Sequence, residues 1–477
     1  MKILFVASEC APFIKTGGLA DVIGAVPKAL DPLGANVRIL LPAYPALSGE
    51  LAKGKEVLSL PDLHGGPARV VAVKARGLDL LLLDAPHLFY RQGNIYLGPD
   101  GQDWPDNGLR FGALSYVGAQ IAMGAITDWT PDLVNAHDWQ AALVPAYLHA
   151  AGSTVPTVMT IHNIAFQGVF GADILGPLGL PGDMFSVGKG EYYGRFSFLK
   201  AGLMMASKIT TVSPTYAREL MSADFGMGLD GVMRARRADL TGIVNGIDLD
   251  VWNPETDRAI PASYSARTLK RKAQNKSALE DRFGLTPGDG PVFCVISRLT
   301  TQKGLDLLLE VLPALIRQGA RLALLGTGDK EMERAYAEAA RRYAGQVGVI
   351  IGYDENLSHL MQAGSDAILI PSRFEPCGLT QLYGLRYGTI PVVARTGGLA
   401  DTVIDANLAA LDAECATGVQ FTPITALGLE QAIDRTCNLF EQPKVWAGMQ
   451  RRAMRQSVGW DASARSYLSL FRSLTEG

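Results

Sequence analysis

Two cations five residues apart, Arg298 and Lys303 in SRLTTQKG, lie between an apolar run and a helical pattern. A strand-to-helix turn carrying both could embrace a diphosphate. At ~4 Å and an effective dielectric near 20, a unit charge pair is worth roughly 4 kcal/mol before desolvation, enough to stabilise a leaving group. Alone, the segment reads as a solvated basic turn. A second stretch, SRFEPCGLTQLYG from Ser372 to Gly384, places Glu375 before Pro376 at a sharp exit from a strand and Gly378 at the start of a helix. A carboxylate there can accept sugar hydroxyls while helix-terminal amides donate, or Glu375 can simply cap the helix.

Nearer the N-terminus, NAHDWQ and TIHNIAFQG each end an apolar run in a histidine, His137 and His162. With Asp138, Trp139, Asn163 and Phe166 beside them, these form the floor of a polar, aromatic-lined site suited to sugar rings. The phrase KTGGLADV, residues 15–22, returns as RTGGLADTV, residues 395–403. Gly17 and Gly18, like Gly397 and Gly398, permit positive φ and close backbone approach, leaving amides and a helix dipole aimed at an anion, with Lys15 adding a full charge. No His, Asp or Glu spacing suggests a metal site. No G-x-S-x-G elbow makes Ser213 a hydrolase nucleophile, and GTGDKE fails the dinucleotide fingerprint at its third glycine.

The elements that must position these residues are legible as period. KILFVAS, NVRILLP, LVNAH, TVMTIH and KITTVS alternate with helical patterns such as DVIGAVPKALDPLG and AALVPAYLHAAG. Strands apolar on both faces indicate a parallel sheet covered on both sides. Pro86 to Gly108, rich in glycine, proline and aromatics, reads as a long loop. From Val244 the rhythm stops: NGIDLDVWNPETD and a Lys/Arg-rich stretch to about Asp281 read as an inter-domain connection. PVFCVIS, KGLDLLLEVLPALI, ARLALLG, VGVIIGY, DAILIPS and TIPVVAR then begin a second series. The expected fold class is α/β, with two Rossmann-like doubly wound domains facing a central cleft. The expected boundaries are 1–244, 245–456 (beginning with a linker), and a helix over 457–477 crossing back to the first domain. Ligands in such sheets bind outside the carboxyl ends of strands, where these motifs fall.

Composition agrees. A chain of 477 residues exceeds the roughly 250–300 at which single cores stop growing. A net charge of −3 offers no field for nucleic acid or an anionic membrane surface. Five scattered cysteines suit a reducing cytoplasm, and the opening MKILFVASEC reads as a strand rather than a leader.

In order along nearly the whole chain, KTGGLADV, HDWQ, TIHN, NGID, SRLTTQKGLDLL, GTGD and PSRFEPCGLTQLYGLRYGTIPVVARTGGLADTV resemble the bacterial glycogen synthases and their starch synthase relatives. These are retaining glycosyltransferases of the GT-B type. The resemblance implies glucosyl transfer from ADP-glucose to the nonreducing 4-hydroxyl of an α-1,4-glucan such as glycogen, without cofactor or obligatory metal. It implies that Arg298 and Lys303 hold the distal phosphate and stabilise departing ADP, and that Glu375 grips the donor glucose with amides around Cys377, Gly378 and Leu379. It places His162 near the glucosyl 6-hydroxyl and Asp138 by the reaction centre. Lys15, Gly17 and Gly18 match a mobile loop over the donor, Asp21 faces the nucleoside, and Tyr353 stacks on adenine. Asn245, Thr380 and Tyr383 join the donor site. Tyr383 stands eight residues after Glu375, where many wider relatives carry a second glutamate. Tyr96, Trp139 and the Tyr192–Tyr193 pair are candidate acceptor contacts.

No pair of opposed carboxylates for double displacement is evident. Front-face transfer is therefore expected, with domain closure excluding water. A phosphorylase would need a lysine-bound pyridoxal phosphate and a longer chain. A sugar-nucleotide sensor would not require Lys15, His162, Arg298, Lys303 and Glu375 together.

Overall fold

The computed structural model describes residues 1–476. It divides the chain into two units, Met1–Ile243 with the segment from Trp460 onward, and Val244–Gly459.

In the first unit, the short apolar runs become strands. These are β1 (Lys2–Val6), β2 (Asn36–Pro42), β3 (Lys55–Leu60), β4 (Ala68–Ala75), β5 (Leu78–Asp84), β6 (Leu133–His137) and β7 (Thr157–Ile161). Of them β6 and β7 are buried throughout, while β3, at the sheet edge, has no buried residue. A separate small antiparallel sheet comprises β8 (Val169–Phe170), β9 (Glu191–Tyr192) and β10 (Arg195–Ser197), and the main sheet is completed by β11 (Lys208–Thr211) and β12 (Leu240–Gly242). The main sheet runs β12-β11-β7-β6-β1-β2-β5-β4-β3. All neighbours from β12 to β5 pair parallel, and β3, β4 and β5 form an antiparallel edge. The period of the sequence does not announce that edge. Its hairpin between β4 and β5 turns on Arg76 and Gly77, both at positive φ (51° and 77°), the backbone of a tight two-residue turn without the usual Asn-Gly.

Pro86–Gly108 is ordered rather than open. Arg110, fully buried, donates from Nε to the Leu88 carbonyl (2.8 Å) and from Nη1 to the Ile95 carbonyl (3.0 Å), tying the loop to the helix Asn107–Ala122. The last helix, Asp461–Thr475, packs on the first unit against the helix Gly18–Leu30 and β6, and Phe471 meets Phe5 edge-on at 6.3 Å.

The second unit has an all-parallel sheet of β13 (Val292–Ile296), β14 (Arg321–Gly326), β15 (Val347–Ile351), β16 (Ala367–Ile370), β17 (Ile390–Ala394) and β18 (Val419–Phe421), in the order β15-β14-β13-β16-β17-β18. That is the doubly wound order 3-2-1-4-5-6, whose direction reverses between β13 and β16. The first unit reverses likewise between β1 and β6.

The stretch expected to be a linker is folded into this unit. Trp252, Ile260 and Tyr264 are buried in one core cluster with Tyr387 and Met454. The helix Lys272–Phe283 packs against the helix Glu355–Gly364. Its polar composition hides this because its buried cation is satisfied by groups distant in sequence: Lys272 Nζ donates to the carbonyls of Gln362 (3.1 Å) and Ala363 (2.7 Å) and to Thr389 Oγ1 (2.8 Å).

Candidate active site

In each unit a group of the candidate residues lies at that unit's own topological switch point, while Tyr353 follows the edge strand β15 and Asn245 the edge strand β12. In the second, the chain leaving β13 carries Arg298 and Lys303, and the chain leaving β16 carries Ser372 and Glu375. Gly304 sets their separation: at φ +68°, its position would put a Cβ 1.9 Å from the Pro371 carbonyl oxygen, so only glycine permits the approach. Arg373 then locks the two turns. It donates to both carboxylate oxygens of Asp306 (2.6 and 2.7 Å) and to the Thr301 carbonyl (2.7 Å), while its N–H reaches the Gln302 carbonyl (2.9 Å). The product is an ion pair between Lys303 Nζ and Glu375 Oε2 at 2.6 Å, with Ser372 Oγ donating to the same oxygen at 2.9 Å. Lys303, Glu375, Ser372, Ser297 and Thr380 line a pocket.

The helix beyond it runs Thr380–Tyr387, and Leu379 at its N-cap supplies no side-chain cap, so its first amides remain donors for a ligand. Gly378 does not start this helix as expected. At φ +72° it makes the turn before it, beneath Gln381, whose Nε2 donates to the carbonyls of Cys377 and Gly378 (both 3.0 Å). Burial pushes the Cys377 thiol up to about 12 against the opposing effect of the Asn245 N–H, so it is no nucleophile. Asn245 is itself buried, with Oδ1 lacking a partner among the described residues.

Arg298 is exposed and has no ion-pair partner among the described residues. Its neighbour Leu299 is bound to the GTGD turn through N–H to the Thr327 carbonyl (3.0 Å) and carbonyl to the Asp329 N–H (2.8 Å). Tyr353, just past β15, is 78% exposed, with Oη donating to Glu355 (2.9 Å). Tyr383 has one face covered: it stacks on Trp252 at 3.7 Å, and Trp252 stacks on His359 at 3.9 Å.

The two TGG phrases, expected to act alike, do different work. At the second, a Cβ on Gly397 (φ +44°) would lie 1.9 Å from the Glu375 carbonyl oxygen and one on Gly398 2.3 Å from that of Cys377. Gly398 N–H donates to the Pro376 carbonyl (3.0 Å). This phrase is the backing on which the Glu375 turn rests, and its amide is spent there. At the first, Gly17 has an extended φ of −155°, and a Cβ on Gly17 or Gly18 would meet nothing within 4 Å. Its amides are held by a residue that the motifs did not single out: Glu9, just after β1, accepts from Thr16 N–H, Thr16 Oγ1 (2.6 Å) and Gly17 N–H (3.2 Å). Lys15 pairs with Asp21 at 2.7 Å, two expected donor contacts meeting each other.

Tyr96 belongs to the same network. Its hydroxyl donates to Glu9 (2.5 Å) and meets Ser8 Oγ (2.7 Å), so it is a prop for Glu9 rather than a free acceptor contact. Trp139 is also corrected: it is buried among Phe111, Phe170 and Phe198, with Gly168 against its ring. Its hydrophobic burial outweighs the role its position beside Asp138 suggested. Tyr192 donates to the Met227 carbonyl (2.7 Å), while Tyr193 and Phe166 are exposed.

His137, Asp138 and His162 do converge. Asp138 holds φ +54°, and its Oδ1 accepts the N–H groups of His162 (2.7 Å) and Asn163 (3.4 Å). Burial raises its carboxyl to about 7 despite these donors, with the Glu9 charge acting in the same direction. Burial holds His162 down to about 3 and His137 well below its ordinary value, so both rings are neutral near pH 7. No spacing in the sequence marks Glu9, which holds backbone amides of the loop just beyond it, or Arg373 and Asp306, which only the fold brings together.

Residues 2–235 match the family model described as the starch synthase catalytic domain, and residues 278–446 that described as glycosyl transferases group 1. The chain is 65% identical over 479 residues to a glycogen synthase of Roseobacter denitrificans, covering 100% of both chains. It is 56% identical to glycogen synthase 1 of Rhizobium meliloti, covering 99% of each. Among solved structures it is similar to the catalytic domain of starch synthase IV from Arabidopsis thaliana bound to ADP and acarbose, with a TM-score of 0.87 at 29% identity over 100% of this chain and 99% of that one. With two doubly wound units of the GT-B class and full-length identity at this level, the chain belongs to the glycogen synthase and starch synthase family of glycosyltransferases.

Proposed function

We propose that this protein transfers glucose from ADP-glucose to the nonreducing 4-hydroxyl of an α-1,4-glucan, with retention at the anomeric carbon and without an obligatory metal. The observation that carries the reading is the Lys303–Glu375 pair at the switch point, beside an uncapped helix N-terminus. An ammonium and open amides suit a diphosphate, and an adjacent carboxylate suits sugar hydroxyls. A similar solved structure, a starch synthase bound to ADP and acarbose, supports a nucleotide ligand.

In this reading the bond from C1 to the phosphate oxygen breaks as the 4-hydroxyl of the glucan attacks from the same face. The proton of that hydroxyl passes to the departing phosphate, and Arg298 and Lys303 stabilise the negative charge of ADP. Glu375 orients the glucose, His162 meets its 6-hydroxyl, and Tyr353 stacks on the base. No helix among the described residues is long and apolar enough to cross a membrane. A reducing cytoplasm fits five free cysteines.

Incorporation of labelled glucose into glycogen, from ADP-glucose and from UDP-glucose with a chelator present, tests the reading. Strong incorporation from ADP-glucose under chelation is expected. A preference for UDP-glucose would contradict the donor, dependence on added metal would contradict the metal-free mechanism, and no incorporation from either would contradict the activity.

A further inference from the structure

His137 is a buried neighbour of the site that none of the steps above uses. Its Nδ1 lies 3.0 Å from His162 Nε2, one hydrogen bond between two neutral rings. Its other nitrogen, Nε2, is sealed from solvent and has no partner among the described residues. Among the described residues, His162 Nδ1 is therefore the ring nitrogen of the pair that has no hydrogen-bond partner and is not sealed from solvent.

The single proton between the rings can sit in two ways. If His162 Nε2–H donates, His137 must carry its own proton on Nε2, a buried N–H with no acceptor. If His137 Nδ1–H donates, His137 Nε2 is only a buried lone pair, and the proton of His162 is on Nδ1. Orphaned buried N–H groups are the rarer fault, so the second arrangement is favoured. The adjacent Asp138 fixes the His162 backbone through its N–H at 2.7 Å, so consecutive residues hold both the main chain and the ring.

We infer that His137 is a positioning residue that fixes His162 as its Nδ1–H tautomer, so that His162 meets the donor sugar as a hydrogen-bond donor. The inference rests on the reading that His162 contacts that sugar, but its first test does not.

With six histidines in the chain, the protein labelled with ¹⁵N-histidine can be followed without substrate at neutral pH by long-range proton–nitrogen NMR, with His162 assigned by its loss in His162→Asn. The expected spectrum has Nδ1 protonated and Nε2 unprotonated; a protonated Nε2 would overturn the inference. Two variants add the functional arm. His137→Asn keeps an N–H where Nδ1 stood, and His137→Phe keeps the ring without the donor. The Asn variant is expected to retain kcat/KM for the donor within about threefold, and the Phe variant to lose about tenfold together with the single tautomer. Equal kcat/KM in the two would overturn it. Should His137→Phe not fold, the wild-type spectrum and His137→Asn still decide. Failure of the transferase reading would show in the incorporation assay and leave the tautomer result standing.

Discussion

At the scale of the residue, Asp138 ties burial to pH. Its carboxyl titrates near 7 in the folded chain, against about 3.9 for an ordinary unfolded aspartate. Below about pH 4 both states are protonated. Between about 4 and 7 only the folded state keeps the proton, so the contribution of this group to stability is withdrawn as pH rises through the folded value. Asparagine cannot titrate. The melting temperature of the wild type is therefore expected to fall relative to that of Asp138→Asn between about pH 5 and pH 8, and a constant offset would contradict the raised value. Tyr353 offers a second residue-scale outcome: if its exposed ring stacks on the base, Tyr353→Ala should raise KM for the donor about tenfold with kcat nearly unchanged. Isothermal titration with ADP would show the same loss directly.

At the scale of the element, glycines with the same sequence context carry opposite loads. Gly397 lies at positive φ with the Glu375 carbonyl where a side chain would go, while Gly17 has extended backbone and open space. Gly397→Ala should cost at least about 2 kcal/mol and displace the Glu375 turn, whereas Gly17→Ala should stay within about 1 kcal/mol. Denaturant unfolding of the two variants makes the comparison, and equal destabilisation would refute the distinction. The sequence could show that each phrase opens a helix after a strand. It could not show which glycine had a neighbour where a side chain would go, because the Glu375 carbonyl against Gly397 arrives through tertiary structure.

At the scale of the whole molecule, the two doubly wound series were readable because parallel strands buried on both faces are nearly continuous apolar runs, as in LVNAH and IPVVA. The switch points followed from strand order, and Lys303, Glu375, Asp138 and His162 all lie beside them. What escaped reading was polar sequence in structural roles. Lys272 and Arg110 are cations in buried positions, each satisfied by carbonyls that no local pattern reveals. The final helix shows the reverse case, since its apolar spacing was legible while its partner, Phe5 at the start of the chain, was not. Because Phe471 is fully buried against the first unit, Phe471→Ala should cost about 3–5 kcal/mol there. Calorimetry should show the transition of that unit lowered and that of Val244–Gly459 unchanged; a uniform shift of both would contradict the assignment of the helix.

The central claim is that Lys303 stabilises charge on the departing phosphate, and the kinetics of Lys303→Ala with ADP-glucose and glycogen test it most directly. Loss of one preorganised donor predicts a fall in kcat of about 10²–10³. Full turnover with only KM raised would place Lys303 in ground-state binding and contradict its role in the transition state.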